Sequence, residues 1–227
     1  MKVVVTAGPT REHLDPVRFL SNPSTGKMGF AVAAAAARRG CDVTLVAGPV
    51  ALKTPKGVRR VDVVSAREML AAVEDALAAV PAGAPAAFVS TAAVADWRPA
   101  TCAAKKLKKR EMSGVLRLVR NPDVLKTVGA KLRRAKKANV ALVGFAAETD
   151  DVLAEAARKC REKGLAFIVA NDVTEKGCGF GTDTNRVTFV FPDGAQRRLP
   201  LMTKARVAAR IVREAVEGVA KVAANVV

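Results

Sequence analysis

Two glycines, three small hydroxyl residues and a lysine crowd the stretch "SNPSTGKMG", residues 21 to 29, immediately before an alanine-rich run that reads as a helix. The first N–H groups of a helix lack intrahelical partners, and the dipole there is positive, so an anion can be held at that end. Gly26 and Gly29 let backbone approach such an anion, Ser24 and Thr25 offer hydroxyls, and Lys27 adds charge. The stretch therefore reads as a phosphate cradle, with a simple helix opening as the plain alternative. It matches neither Gly-x-x-x-x-Gly-Lys-Ser/Thr nor Gly-x-Gly-x-x-Gly. Asn22 carries a neutral amide, a group able to hold an acyl oxygen without supplying charge. Its plain alternative is an Asx-turn leading into Pro23.

Three further groups could act on charged ligands. Asp96, in "AVADWRP", closes an apolar run and could hold a sugar hydroxyl or a metal-bound phosphate, or merely cap a loop. In "KKLKK", residues 105 to 109, an extended backbone would set Lys106 and Lys108 on one face as a two-lysine clamp; a solvated charge run would look the same. Lys159 and Lys163 are four apart on an expected helix and share its face. Glu155 is placed to pair with Lys159, whereas Lys163 has no such helper. With a single histidine, His13, no Ser/His/Asp set is credible. Chemistry would rest on binding, positioning and lysine electrostatics, which suits nucleotidyl transfer.

The elements that must position these residues follow a strand–helix rhythm. "KVVVTAG", "DVTLVAGP", "VRRVDVVSA", "AAFVSTAAVAD", "VALVGFAAET" and "LAFIVANDV" are apolar, β-branched runs expected to be buried parallel strands. Between them, "GFAVAAAAARRG", "AREMLAAVEDALAAV" and "DVLAEAARKCREKG" read as helices, the first and last stopped by glycine. "RVTFVFPDGAQRRLPL" reads as a hairpin turning at Pro192-Asp193-Gly194, and a final amphipathic helix follows with Thr203 as its N-cap. This is a doubly wound α/β sheet in a single domain spanning residues 1–227. Residues 97 to 139 interrupt the rhythm with a heavily basic composition. They are expected to form an insertion or flap with a short strand at Val115–Val119 and a helix from Pro122, as N1 after Asn121, to about Lys136. Several strands end in small or polar residues, which is where open parallel sheets bind ligands.

Composition narrows the function classes. The 227 residues hold 38 Lys and Arg against 21 Asp and Glu, a formal charge of +17, which favours anionic partners or a solvated basic surface. Cys41, Cys102, Cys160 and Cys178 are scattered with no Cys-x-x-Cys, so they read as buried free thiols of a reducing compartment. No leader pattern and no long uncharged apolar span is present, so a cytoplasmic protein is expected, with no membrane partner.

Taken together, "TAGPTREHLDPVRFLSNPSTGKMG", "AAVADWRP", "KLKK", "NPDVL", "VGFAAET" and "ANDV…GFGTDTNRV" resemble, in order, the phosphopantothenate–cysteine ligases of coenzyme A biosynthesis. The likeness runs from Val3 to about Arg210. It implies a Rossmann-like homodimer that activates the carboxylate of 4′-phosphopantothenate with CTP and Mg²⁺, releasing pyrophosphate. The acyl-cytidylate is then attacked by the amine of L-cysteine, giving 4′-phosphopantothenoylcysteine and CMP. By position, the resemblance assigns Asn22 to stabilising the intermediate during cysteine attack and Lys106 to its formation. It puts Ala92, Asp96, Asn121, Pro122, Asp123, Val124, Phe145, Lys159 and Lys163 on CTP, along with Lys106. Arg18, Asn22, Ser24, Thr25, Gly26 and Gly29 fall on phosphopantothenate, and the basic insertion becomes the flap and dimer-forming part. Metal ligands are not assigned. The chain departs from the family pattern at Gly8-Pro9, Thr25, Trp97 and the extra Lys105. Many bacterial members follow a flavin-dependent decarboxylase, and this chain, opening at Met1, is expected to carry the ligase activity alone.

Two other readings are weaker. A nicotinamide-dependent oxidoreductase needs a Gly-x-Gly-x-x-Gly turn and an acid closing the second strand, and "TAGPTRE" and "LVAGP" lack them. A specific nucleic-acid-binding module wants stacking aromatics, and the chain has no Tyr and one Trp.

Overall fold

The structure is a computed structural model that describes residues 1–111, 114–135, 137, 139–148, 151–175 and 177–224. The first half of the chain forms β1 (Lys2–Ala7), β2 (Arg11–His13), β3 (Phe19–Ser21), α1 (Lys27–Arg38), β4 (Asp42–Ala47), β5 (Val58–Asp62), α2 (Ala66–Ala78), β6 (Ala86–Ser90) and β7 (Trp97–Pro99). After a 3₁₀ turn (Lys109–Glu111) come β8 (Leu118–Arg120), α3 (Val124–Arg134), β9 (Val140–Glu148), α4 (Val152–Lys163) and β10 (Phe167–Asp172). The chain finishes with β11 (Thr184–Asn185), β12 (Thr188–Val190), β13 (Gln196–Arg198), β14 (Met202–Thr203) and α5 (Lys204–Ala224).

Eight strands make one sheet in the order β13-β12-β10-β9-β6-β1-β4-β5. Its six strands from β10 to β5 run parallel, and β12 and β13 add an antiparallel hairpin at one edge. The fold is thus the Rossmann-like α/β arrangement expected from the strand–helix rhythm. Period-two alternation sends Val3, Val5, Val43, Leu45, Val89 and Val169 to the face covered by α1 and α5. Val4, Val46, Phe88, Leu142 and Ile168 go to the face covered by α2, α3 and α4. Burial on both faces is why these strands read as continuous apolar runs. The chain leaves β1 for β4 on one side and later returns to β6 on the other, so the sheet's switch point lies between β1 and β6.

Local chemistry explains the helix starts. Ser65 accepts the Glu68 N–H while Glu68 reaches back to the Ser65 N–H, a capping box that opens α2. Thr203 accepts the Arg206 N–H at 3.4 Å where α5 begins, as expected. Asp123, and not Asn121, caps α3: its carboxylate accepts the Lys126 N–H at 2.9 Å, so the helix starts at Val124 rather than at Pro122. A carboxylate at that end also meets the positive pole of the helix dipole. Lys136, the expected end, lies outside the described residues.

The 97–139 stretch divides in two. Its first part leaves the sheet and forms the β7–β8 ribbon, whose second strand starts at Leu118 rather than Val115. Its second part, α3, is the crossover helix between the parallel neighbours β6 and β9, with Val124, Leu125 and Val128 buried against the sheet. A parallel pair requires such a connection, so α3 belongs to the core layer and not to a flap.

The cysteines are free, but only Cys160 and Cys178 are buried; Cys41 is half-buried and Cys102 is exposed. Burial pushes the Cys160 thiol up to about 11, which keeps it protonated and unreactive near neutrality. No helix among the described residues is long and apolar enough to cross a membrane.

Phe88 is fully buried in the middle of the sheet. Phe88→Ala is expected to cost ~3–5 kcal/mol in urea unfolding. Val115→Ala, at a site 82% exposed, should change stability by less than about 0.5 kcal/mol.

Candidate functional site

At the switch point the strands end in residues too small to fill the space. Gly29 lies inside the first turn of α1, and a Cβ there would stand 2.4 Å from Thr91 Oγ1 and 2.5 Å from the Ala7 Cβ. This glycine therefore serves close packing of α1 on β1 and β6. Gly26 is the N-cap, held at a φ of 77° that L side chains rarely adopt. No side chain caps α1 and its first turn holds no acid, so its leading N–H groups remain suited to an anion. Ser24 accepts the Gly26 N–H at 3.3 Å and shapes the turn.

Beyond the ends of β6 and β9 opens a cavity of about 440 Å³. Ten of the expected site residues line it: Asn22, Ala92, Asp96, Asn121, Pro122, Asp123, Val124, Phe145, Lys159 and Lys163. A second chamber of about 120 Å³ adjoins it at the start of α1, lined by Thr25 and Gly26 and sharing Ala92 and Phe145 with the first. Arg18, Ser24, Gly29 and Lys106 line neither hollow. Lys106 is exposed on a loop tied to the β2–β3 hairpin. A larger hollow of about 590 Å³ lies at the opposite, amino-terminal edge of β9 and β10. None of the expected residues borders it, and the sheet's ligand edge is the other one.

The polar groups around the main cavity are partly committed. Asn22 Nδ2 lies 3.2 Å from the carbonyl oxygens of both Ala93 and Val94 and donates to them. To hold an acyl oxygen, this amide must release one of those bonds. Asn121 donates to the Ala95 carbonyl at 2.8 Å and accepts from Arg98 at 3.1 Å, so its side chain fixes the turn after Asp96. Asp96 itself presents an exposed carboxylate to the cavity.

Lys163 is not unaccompanied, as the sequence spacing implied: its Nζ stands 2.7 Å from Asp123 Oδ2. Burial pushes the Asp123 carboxyl up, but the Lys163 contact and the Lys126 N–H outweigh it, and the net direction is down. Glu155 pairs with Arg158 at 2.7 Å, and Lys159 adds its charge to what holds that carboxyl below its ordinary value. The charge of Lys163 is thus balanced within the site, and Lys159 is the second cation of α4 on the cavity wall.

Several site residues carry no signal that single-sequence reasoning would single out. Phe180 borders both chambers. Asn171, Asn185 and Lys204 line the inner one, and all three are buried. Asn185 Oδ1 has no hydrogen-bond partner among the described residues. Lys204 donates to the carbonyls of Gly179 at 2.8 Å and Phe180 at 3.3 Å, and burial, with Lys27 nearby, pulls its pKa down. Thr25 and Lys27 donate to the same loop, at the carbonyls of Phe180 and Gly181. The quoted "ANDV…GFGTDTNRV" block spans Asn171, Phe180 and Asn185, so that block was their only trace in the sequence.

Among the described residues no three His, Cys, Asp or Glu side chains gather to hold a metal ion. Asp96 and Asp123 are the carboxylates on the cavity wall, and Asp123 is engaged by Lys163. The donors fit a divalent cation that arrives with most of its oxygen ligands supplied by phosphates and water, the usual habit of Mg²⁺.

Fold and cleft together define an open, doubly wound α/β protein with a polar cleft at its switch point. Residues 1–219 match the family of the DNA/pantothenate metabolism flavoprotein C-terminal domain, and the chain belongs to that family. It is 48% identical over 216 residues to the coenzyme A biosynthesis bifunctional protein CoaBC of Bacillus subtilis, covering 93% of this chain and 50% of that protein. With CoaBC of Escherichia coli K12 it shares 47% identity over 207 residues, 90% of this chain and 48% of the relative. The chain thus spans about half the length of the curated relatives it matches. The crystal structure of the C-terminal domain of a CoaBC protein superposes with a TM-score of 0.78 at 40% identity, covering 97% of this chain and 96% of that one. A Cab2 variant in complex with phosphopantothenate-cysteine has the same fold, with a TM-score of 0.77 at 16% identity, covering 99% and 88%.

Asp123 joins helix cap and site cation, which sets a measurable pH dependence. Its pKa is lowered from 3.8, so its contribution to folding is complete above that value and is lost as the pH falls through the lowered one. Asp123→Ala should cost about 1 kcal/mol at pH 7. The difference from wild type should shrink towards zero in acid unfolding titrations below pH 3.8.

Proposed function

We propose that this chain ligates L-cysteine to 4′-phosphopantothenate, with CTP as the activating nucleotide. The observation that carries the reading is the gathering of Asn22, Asp96, the Asn121–Val124 turn, Phe145, Lys159 and Lys163 around one cavity at the switch point. These are the positions that the family resemblance assigns to the acyl intermediate and the nucleotide. Membership of the family and the likeness to CoaBC proteins support it.

In this reading the substrate carboxylate attacks the α-phosphorus of CTP. The bond to the β-phosphate oxygen breaks and pyrophosphate leaves. The cysteine amine then attacks the acyl carbon, loses a proton, and CMP departs. Lys106 would balance charge as pyrophosphate forms, and Lys159 and Lys163 would hold the nucleotide, since phosphoryl chemistry is mostly positioning and electrostatics. Asn22, freed from one of its carbonyl bonds, would donate to the acyl oxygen during amine attack. The uncapped start of α1, with Ser24, Thr25 and Gly26, would seat a phosphoryl group of one of the two phosphorylated substrates. Mg²⁺ would come bound to the nucleotide, with Asp96 the nearest free carboxylate.

A second copy of the chain is the proposed partner. Val17 and Phe19 at the β2–β3 hairpin and Trp97, Leu116 and Leu118 on the ribbon are exposed apolar side chains on adjoining small sheets. Isolated two-stranded ribbons are marginal in water, and an apolar patch on them suits a self-complementary contact.

Pyrophosphate release should require 4′-phosphopantothenate, Mg²⁺ and CTP, with product formed only when L-cysteine is added. Release with ATP alone would overturn the nucleotide assignment, and no release with either would overturn the function. Lys106→Gln should abolish pyrophosphate release, whereas Asn22→Asp should release pyrophosphate faster than product forms. Light scattering should report a dimer, and the pair Trp97→Glu and Leu118→Glu should give a monomer with unchanged circular dichroism. A dimer that persists would remove this patch from the interface.

A further inference from the structure

The tip of the β2–β3 hairpin holds a carboxylate that no catalytic role uses. Asp15 is fully buried. Its Oδ1 accepts the N–H groups of Val17 and Arg18, each at 2.9 Å. Its Oδ2 accepts Arg18 Nε at 3.0 Å, Arg18 Nη2 at 2.5 Å and the Leu107 N–H at 3.2 Å. Arg18 Nη2 also donates to the Leu107 carbonyl at 3.0 Å, and Ala103 N–H donates to the Leu14 carbonyl at 2.9 Å. Both polar groups of the Leu107 peptide are therefore held by one ion pair, and Leu107 sits between Lys106 and Lys108. The Arg18 guanidinium holds the Asp15 carboxyl far below the usual carboxylate range, against the opposing effect of burial. The pair stays charged throughout the range in which an enzyme assay is run.

The hairpin itself is fixed to the scaffold. Glu12 Oε1 accepts the Ala66 N–H at the start of α2 at 2.9 Å, and Arg11 N–H donates to the Val64 carbonyl at 2.8 Å. Its returning strand, β3, runs directly into Asn22. One rigid hairpin thus connects the amide in the cavity with the loop that carries the lysines.

We propose that Asp15 is a positioning residue: through Arg18 and the Leu107 peptide it sets where Lys106 and Lys108 stand relative to the cavity and Asn22. The inference rests on the reading of Lys106 given under the proposed function. An asparagine at position 15 would turn an N–H₂ group towards donors, and a small displacement of a catalytic group costs up to about a hundredfold in rate.

The test uses Asp15→Asn and Leu107→Pro; the second removes the N–H that reaches Asp15 and leaves the Asp15–Arg18 pair intact, while also fixing φ at position 107 and narrowing the backbone of Lys106. Both should speed tryptic cleavage after Lys108 and Lys109, bonds that a proline at position 107 leaves cleavable, and lower kcat for pyrophosphate release by about tenfold or more, with KM for CTP changed by less than about threefold. Each pyrophosphate released should still be matched by one product molecule, unlike in Asn22→Asp. If Asp15→Asn does not fold, Leu107→Pro carries the test. Unchanged cleavage and unchanged release in the folded variants would overturn the proposal. So would faster cleavage with normal release, in which case an inactive Lys106→Gln would leave the reading of Lys106 standing. A fully active Lys106→Gln would overturn that reading and this inference together.

Discussion

The amino end of α1 lies so close to β1 and β6 that no side chain fits between them, and the rest of the site depends on that contact. Gly29 faces Ala7 and Thr91 across a gap that a single methyl would overfill. Thr91 Oγ1 in turn donates to the Thr6 carbonyl at 2.6 Å, tying the ends of the two strands on either side of the switch point. The helix dipole is thereby aimed at the cavity, and the turn that carries Asn22 is folded back over the β6 end. An alanine-rich helix suits this constraint, because only small side chains allow it to lie flat on the sheet and against α5 at once.

The parts inside and outside the sheet are held in different ways. The sheet and its two helix layers place Phe145, Lys159, Lys163 and Asp123 with short connections and buried anchors. The pieces outside the sheet, the hairpin, the ribbon and the lysine loop, are held by directed bonds, among them those of the buried Glu12 and Asp15 carboxylates. Their identity is polar and local, so loops of this kind can carry chemistry while the scaffold stays fixed.

How much of this was legible in the sequence follows from the same division. The parallel strands, most of their helices and the terminal hairpin were readable, since burial on both faces and Gly or Pro punctuation leave strong patterns. Eight of the ten cavity residues lay in motif blocks and Lys159 and Lys163 were picked out by their spacing of four, but that they share one cavity could not be read from either: Asn22, Asp96 and Lys163 meet only because β3, β6 and α4 end at the same edge. α3 was expected as a helix but placed in a basic flap instead of the core layer, because its exposed face carries Lys126, Lys131, Arg133 and Arg134, which outnumber its buried Val124, Leu125 and Val128. The packing that Gly29 serves could not be read in one dimension, where packing glycines and binding glycines look alike. Asp15 and Lys204 gave no warning, since a buried ion pair and a buried lysine become meaningful only when the carbonyls they hold are known.

The strand order also governs how the molecule can assemble. Val3 of β1 pairs with Val43 on one side and with Ala87 on the other, so the middle of the sheet waits for a chain segment more than eighty residues downstream. Contacts of such long range make for slow folding and a period in which an open strand edge is exposed. During synthesis the β1–α1–β4 unit can form early, while the inner chamber cannot close until Asn185 and Lys204 have emerged. Ligand binding is then a property of the nearly finished chain, and a nascent fragment with a well-formed first βαβ unit holds only half of the cleft.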